Sequence, residues 1–272
     1  MAQHGDRVRM LAGGTDLLVQ LRSGALDNVN VVLDIKTIPE LNEVAYDPGD
    51  GLTLGAAVPC YKIYNNREVA QAYPGLIDAA SIIGGTQIQG RASLGGNLCN
   101  AAPSGDSIPA MIALGGVANV AGPHGERTVP VEEFCTGPGR NVLQQGEMLV
   151  SIHFPAPEAR SGARYIRFIP RNEMDIAVAG AGVSVVLENG TITSARVSLA
   201  SVAPTPLFVR EAGAALVGKP ATEESVKIAS EIAREAATPI TDMRGTTEYR
   251  KHLCEVLTRR ALLTAIERAK EN

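Results

Sequence analysis

The chain has no tryptophan, few other aromatic residues and no long hydrophobic run. Aromatic residues make up 4 % of the sequence, which leaves few side chains for the stacking surfaces that bind single-stranded nucleic acids. The net charge of −4 also argues against a nucleic acid as the main partner, because no basic stripe is available to neutralise phosphates. No apolar run has the length of a membrane helix, and the polar N-terminus is unlike a signal peptide. These absences predict a cytoplasmic protein.

Cysteine and histidine are scarce and scattered. The cysteines are Cys60, Cys99, Cys135 and Cys254, and they form no Cys-x-x-Cys pair and no Cys/His pair at the spacing of zinc ligands. We therefore expect reduced thiols, and neither a structural metal nor an iron–sulfur cluster within this chain.

Motifs for nucleophilic catalysis and for nucleoside triphosphates are absent as well. The sequence contains no Gly-x-Ser-x-Gly elbow and no Gly-x-x-x-x-Gly-Lys-Ser/Thr loop. The nearest approach to a Rossmann fingerprint, Gly180-Ala181-Gly182, lacks the third glycine and continues as a strand. A chain with binding motifs but without reactive side chains usually leaves the chemistry to a cofactor.

Glycine is concentrated in residues 82–109, which contain the diglycines Gly84-Gly85 and Gly95-Gly96. The segment has too many apolar residues for a flexible linker. Because glycine lets the backbone approach a ligand closely, we interpret the segment as a long ordered loop whose N–H groups bind a phosphate. A glycine-rich barrel corner or bulge without a ligand is the alternative.

A second glycine turn lies near the N-terminus. A predicted strand over residues 7–11 leads into Ala12-Gly13-Gly14, and a predicted helix follows, with Thr15 as its N-cap and Gly24 as its stop. Such a junction turns the unpaired N–H groups of the first helical turn outward, at the positive end of the helix dipole. The junction is therefore a second candidate phosphate site, from which the Asp16 carboxylate should point away.

The other predicted elements divide the chain into two halves. In the first half they are a strand at 28–35, hairpins at 44–46 with 52–56 and at 117–121 with 127–131, helices at 61–72, 75–83 and 107–114, and a strand at 148–154. Pro155 and Pro157 mark the best domain boundary. In the second half we predict a three-stranded antiparallel sheet (163–169, 177–187, 191–199) and helices at 210–216, 222–237 and 247–270.

Six motifs follow one another along nearly the whole chain. They are 11–18 (LAGGTDLL), 87–97 (QIQGRASLGGN), 103–106 (PSGD), 171–177 (RNEMDIA), 203–206 (APTP) and 242–250 (DMRGTTEYR). Together they resemble the FAD-binding, or medium, subunit of the molybdenum hydroxylases, the family of xanthine dehydrogenase and aerobic carbon monoxide dehydrogenase.

The resemblance implies an α+β protein of two domains. Residues 1–157 would form a PCMH-type FAD-binding domain of the vanillyl-alcohol-oxidase and MurB type, with two α/β subdomains around the FAD. Residues 163–272 would form a small domain like the CO dehydrogenase flavoprotein C-terminal domain, with a three-stranded antiparallel sheet and helices.

The resemblance also implies which residues bind the cofactor. One group would wrap the FAD pyrophosphate from one side and a second group from the other: Met10, Leu11, Ala12, Gly13, Gly14, Thr15, Asp16 and Leu17, then Gly84, Ser93, Leu94, Gly95, Gly96 and Asn97. Asp106 would accept hydrogen bonds from the cofactor, and Val150 and Arg167 would lie near the isoalloxazine ring. An exposed strand position is the alternative for Arg167, where relatives often carry Lys. No catalytic or metal-binding residue is implied in this chain.

The implied function is that of an oxidoreductase subunit that transfers electrons. In the family, a large partner subunit holds molybdopterin, a small partner carries [2Fe-2S] clusters, and FAD on the medium subunit passes electrons to an external acceptor. The resemblance implies a dimer of such heterotrimers, but neither the substrate nor the acceptor. A stand-alone FAD oxidoreductase of MurB-like fold and a scaffold that has lost FAD are the alternatives.

Overall fold

The computed structural model describes residues 4–272, so the first three residues of the predicted 1–157 domain lie outside the described part of the chain. Its first unit is a pair of parallel strands, β1 (Val8–Leu11) and β2 (Val31–Asp34), connected through helix α1 (Leu17–Arg22). The N-cap position of α1 is Asp16 and not the predicted Thr15, and no side chain caps the helix. The Leu18 N–H donates to the Gly14 carbonyl at 3.0 Å, whereas the N–H group of Leu17, the first helical residue, has no acceptor among residues 4–272.

An antiparallel sheet forms the centre of the first half. Its order is β3-β4-β9-β5-β6, while β7 and β8 form a separate hairpin. The strands are β3 (Val44–Asp47), β4 (Gly51–Gly55), β5 (Val117–Gly122), β6 (Gly125–Pro130), β7 (Cys135–Gly137), β8 (Arg140–Asn141) and β9 (Met148–Pro155). Both predicted hairpins, β3-β4 and β5-β6, are confirmed.

Short helices surround this sheet. They are α2 (Cys60–Tyr64), α3 (Arg67–Ala72), α4 (Pro74–Ala80), α5 (Thr86–Gln89), α6 (Leu94–Asn100), α7 (Ser107–Ala113) and α8 (Val131–Phe134). The single helix predicted over residues 61–72 is wrong. The Asn66 side chain accepts hydrogen bonds from the N–H groups of Glu68 and Val69, and this capping starts a new helix.

Residues 82–109 are more helical than the predicted loop, since they contain α5, α6 and the start of α7. Ser93 caps α6, because its Oγ accepts a hydrogen bond from the Gly96 N–H at 3.0 Å. Gly95 lies against the backbone beyond β4, where an added Cβ would be 2.6 Å from the Cα of Ala56. Glycine at position 95 thus allows a short helix to pack tightly on the sheet.

A second antiparallel sheet and three helices form the rest of the chain. The strands are β10 (Ser161–Phe168), β11 (Ala179–Glu188), β12 (Thr191–Ala200) and β13 (Leu207–Phe208), and the helices are α9 (Arg210–Leu216), α10 (Glu223–Ala236) and α11 (Thr247–Glu271). The three predicted strands are present, and the short β13 adds a fourth at the edge. Thr222 caps α10 by accepting a hydrogen bond from the Ser225 N–H.

Charged contacts join the two halves. Arg196 on β12 donates to the Ile112 carbonyl at 2.9 Å and to Glu132 at 2.8 Å. Asp78 on α4 accepts hydrogen bonds from Arg164 and from Arg268. The division into domains at residues 157–163 stays a prediction.

The ion pair between Arg127 and Glu147 is expected to make part of the stability of the folded protein depend on pH. Hydrogen bonds from Arg127 and from the Gln144 N–H lower the pKa of Glu147 from 4.5 to about 2. Because this pKa is lower in the folded state, the stabilisation is complete above pH 4.5 and is lost as the pH falls toward 2. We expect Glu147→Gln to lower the free energy of unfolding in urea at neutral pH. If Glu147→Gln lowered the free energy of unfolding by the same amount near pH 2, the ion pair with Arg127 would not be the source of this stability.

Across residues 4–272, no helix is long and apolar enough to cross a membrane. In the same part of the chain, no cluster of three or more His, Cys, Asp or Glu side chains has the arrangement of a metal site.

Candidate functional site

A cleft of about 440 Å³ lies between the β1–α1 turn, the start of α6 and the neighbouring ends of the central strands. It contains most of the residues that were predicted to bind the cofactor pyrophosphate. These are Met10, Ala12, Gly13, Gly14, Thr15, Asp16 and Leu17 from the first group, and Ser93, Gly95, Gly96 and Asn97 from the second. The fold therefore brings both glycine segments to one space, although they lie far apart in sequence.

Three other predicted residues lie beside the cleft without lining it. Leu11 is tied into the strand pair, where its carbonyl accepts a hydrogen bond from the Ile35 N–H at 3.2 Å. Leu94 is buried in the core, and the Val150 carbonyl accepts a hydrogen bond from the Ala56 N–H at 2.9 Å. These residues support the walls of the cleft.

Residues that sequence reasoning missed complete the walls. They include Gln20, Ile35, Ala56, Ile83, Asn100, Asn141, Leu143 and Leu149. Ile83 directly precedes Gly84, which was predicted to bind the cofactor, so its place near the site could have been inferred from this neighbour. Ala56 and Leu149 come from the ends of β4 and β9 and carry no motif, so only the strand pairing reveals them.

The β1–α1 turn supplies backbone donors to the cleft. Within residues 4–272, no acceptor takes a hydrogen bond from the backbone N–H groups of residues 13–17. Unpaired N–H groups at the start of a helix are suited to an anion, and a phosphate is the common case.

Gly13 holds the two glycine segments in direct contact. A Cβ added at Gly13 would overlap the carbonyl oxygen of Arg91 and would lie 2.6 Å from its carbonyl carbon. In addition, Nε of Arg91 donates a hydrogen bond to the Gly13 carbonyl at 3.3 Å. Only glycine permits this approach, so position 13 sets the distance between the two segments.

Two titratable side chains of the cleft are perturbed by burial. Partial burial raises the pKa of the Asp16 carboxyl. Burial raises the pKa of the Cys99 thiol to about 12, so this thiol stays protonated at neutral pH and is a poor nucleophile. Cys99 is therefore a wall residue of a binding site.

A second cavity, of about 590 Å³, lies where β10 meets the first half of the chain. The predicted residues Gly84 and Arg167 line this cavity and not the cleft. The two spaces are neighbours, because Ile83 lines the cleft while Ile82 and Gly84 line the second cavity.

Asp106 and Arg167 form a buried ion pair beside the second cavity. The Arg167 guanidinium also donates to the Ile82 carbonyl at 2.8 Å, and the Tyr165 hydroxyl donates to Asp106 Oδ1 at 2.8 Å. Burial raises the pKa of the Asp106 carboxyl, and Arg167 acts in the opposite direction. The alternative for Arg167 is wrong, because its side chain is 6 % exposed. Asp106 precedes α7 but does not cap it, because its carboxylate is held by these two side chains.

The cleft suits the phosphate part of a dinucleotide. It combines the donors of residues 13–17 with apolar walls such as Ile35, Ile83 and Leu149, and its volume is typical of small-molecule sites. The residues present therefore fit the implied FAD.

Comparisons with known proteins cover both halves of the chain. Residues 1–157 match the family described as FAD binding domain in molybdopterin dehydrogenase, and residues 164–265 match the CO dehydrogenase flavoprotein C-terminal domain. The xanthine dehydrogenase FAD-binding subunit of Escherichia coli O157:H7 is 31 % identical over 97 % of this chain and 90 % of its own length. The carbon monoxide dehydrogenase medium chain of Afipia carboxidovorans is also 31 % identical, over 98 % of this chain and 91 % of its own.

A solved structure agrees with these sequence matches. The carbon monoxide dehydrogenase of Hydrogenophaga pseudoflava, in a form that lacks the Mo-pyranopterin moiety of the molybdenum cofactor, contains a chain that superimposes with a TM-score of 0.92 at 32 % identity. The match covers 98 % of this chain and 92 % of that chain, so the α+β fold implied by the motifs is confirmed. With its glycine cleft, its matches to two family models and a relative matched over 90 % of that relative's length, the chain belongs to the family of FAD-binding oxidoreductase subunits of the molybdopterin dehydrogenases.

Proposed function

We propose that this chain is the electron-transfer subunit of a heteromeric molybdenum hydroxylase. It binds FAD in the cleft, receives electrons from [2Fe-2S] clusters of a partner and delivers them to an external acceptor. One observation carries the proposal: two distant glycine segments meet at one cleft, where the N–H groups of residues 13–17 have no acceptor among the described residues.

The residues of the cleft divide the work of binding. The N–H groups of residues 13–17 would donate to the pyrophosphate, with Ser93 and the start of α6 beside it. Ile83 and Leu149 would contact the apolar parts of the cofactor. Asp106 and Arg167 would lie on the side of the second cavity, and Val150 would support the cleft wall at Ala56. When bound, FAD supplies the redox chemistry, which this chain's side chains do not.

The proposed partners are a large molybdopterin-binding subunit and a small [2Fe-2S] subunit, in a dimer of heterotrimers. The relatives named as an FAD-binding subunit and as a medium chain support a role within such a complex. The cytoplasmic location stays a prediction, and the substrate of the molybdenum centre is a property of another chain.

The proposal is tested by purifying the affinity-tagged chain from cells of the organism that encodes it. We expect co-purification of two further subunits, flavin absorbance near one FAD per chain, and both molybdenum and iron in the complex. Flavin on a chain that purifies alone would favour the stand-alone oxidoreductase of MurB-like fold. A complex that contains no flavin would overturn the proposal and favour the scaffold.

Removal of the Ser93 cap is expected to weaken FAD binding. Ser93→Ala should cost about 1 kcal/mol of stability through loss of the cap, and it should loosen the start of α6 at the cleft. Asn66→Ala is the matched control, because Asn66 caps α3 and does not line the cleft. We expect similar losses of thermal stability, with a raised Kd for FAD only in Ser93→Ala. Equal Kd values in the two variants would contradict a role of α6 in the site.

A further inference from the structure

Tyr165 on β10 makes a contact that the motifs do not explain. Its hydroxyl donates a hydrogen bond to Oδ1 of Asp106 at 2.8 Å, while Arg167, two residues further on the same strand, pairs with Oδ2. All three side chains are buried, and they come from both halves of the chain. The carboxylate of Asp106 is therefore held at both of its oxygens.

The neighbouring strand leaves room for the Tyr165 hydroxyl. A Cβ added at Gly180 on β11 would lie 2.6 Å from that hydroxyl oxygen. A side chain at position 180 would thus push the hydroxyl away from Asp106. Gly180 belongs to the Gly180-Ala181-Gly182 sequence that lacks the third glycine of a dinucleotide fingerprint. Glycine at position 180 instead leaves space for the ring and hydroxyl of Tyr165.

The held carboxylate also orients Arg167. The Arg167 guanidinium pairs with Oδ2 of Asp106 and donates to the Ile82 carbonyl. Without the Tyr165 hydroxyl, Oδ1 would lose its donor and the carboxylate would be free to rotate about its single remaining contact.

We propose that Tyr165 is a positioning residue of the FAD site, whose hydroxyl fixes the Asp106 carboxylate and, through Arg167, the backbone beside the cleft. This inference rests on the proposed function, because it takes the cleft to bind FAD. Arg167, held by the same carboxylate, donates to the Ile82 carbonyl, and the next residue, Ile83, lines the cleft.

Substitution of Tyr165 in the full chain tests this role. Tyr165→Phe keeps the ring and removes only the hydroxyl, and Gly180→Ala displaces the same hydroxyl without removing it. Tyr73→Phe is the matched control, because Tyr73 is equally buried and donates to the Pro155 carbonyl at 3.0 Å, away from both cavities. The readouts are the Kd for FAD, the midpoint potential of the bound flavin and the thermal stability of the apoprotein.

We expect Tyr165→Phe and Gly180→Ala each to raise the Kd for FAD by about tenfold and to shift the flavin potential, as loss of one hydrogen bond to a charged group implies. Tyr73→Phe should lower thermal stability comparably while leaving the Kd and the potential unchanged. If Tyr165→Phe or Gly180→Ala kept the wild-type Kd for FAD and the wild-type flavin potential, the inference would be overturned but the proposed function would not. Failure of the wild-type chain to bind FAD would overturn both.

Discussion

Gly13→Ala is expected to weaken FAD binding severely. The added methyl group would overlap the Arg91 carbonyl, so the two glycine segments would have to separate and the cleft between them would change shape. The turn at residues 13–17 and the start of α6 would then no longer line a cleft of the same shape. Equilibrium titration with FAD, followed by flavin fluorescence, should show a loss of affinity of about 100-fold or more, since several charged hydrogen bonds depend on one geometry.

Gly90→Ala is the control for this prediction. Gly90 immediately precedes Arg91, but its φ of −63° is helical and an added Cβ would find its nearest neighbours at 3.6 Å. The substitution should leave the Kd for FAD unchanged. Wild-type affinity in Gly13→Ala, or the same loss in both variants, would contradict the idea that position 13 sets the cleft.

Arg167→Met is expected to cause a large loss of stability. It would leave the Asp106 carboxylate buried with one hydroxyl donor and no opposite charge. Removal of one partner from a buried ion pair typically costs about 3 kcal/mol or more. The cost should shrink as the pH falls, because the raised pKa of Asp106 allows the buried carboxyl to become neutral. Urea unfolding of the apoprotein at several pH values measures both effects.

Arg171→Met provides the comparison. Arg171 pairs with Asp175 four residues later, and its side chain is 69 % exposed. Because water replaces such a partner readily, little change in unfolding free energy is expected. Equal effects at positions 167 and 171 would show that the buried pair contributes no more than a surface pair.

The motifs of the site were predictable because they are local. Residues 12–17 and 93–97 carry glycine motifs that can be recognised within a few residues, and both segments reach the cleft. Ala56 and Leu149 could not be predicted in the same way. They reach the cleft only through the pairing of β4 and β9, and that pairing joins strands that are distant in sequence.

The partners of Asp106 and the helices of the glycine segment were missed for related physical reasons. Asp106 meets Arg167 and Tyr165 across the junction of the two halves, and nothing near position 106 in sequence indicates this contact. Helices α5 and α6 are short, and α6 contains two adjacent glycines of low helix propensity. Capping by Ser93 and close packing on Ala56 override that propensity.

The central claim is that one FAD binds with its pyrophosphate at the β1–α1 turn. A crystal or cryo-electron microscopy structure of the FAD-loaded protein tests it most directly. The pyrophosphate oxygens should lie within hydrogen-bond distance of the N–H groups of residues 13–17, with the start of α6 on the other side. FAD bound elsewhere on the chain, or a fully folded chain that excludes FAD from this cleft, would contradict the account.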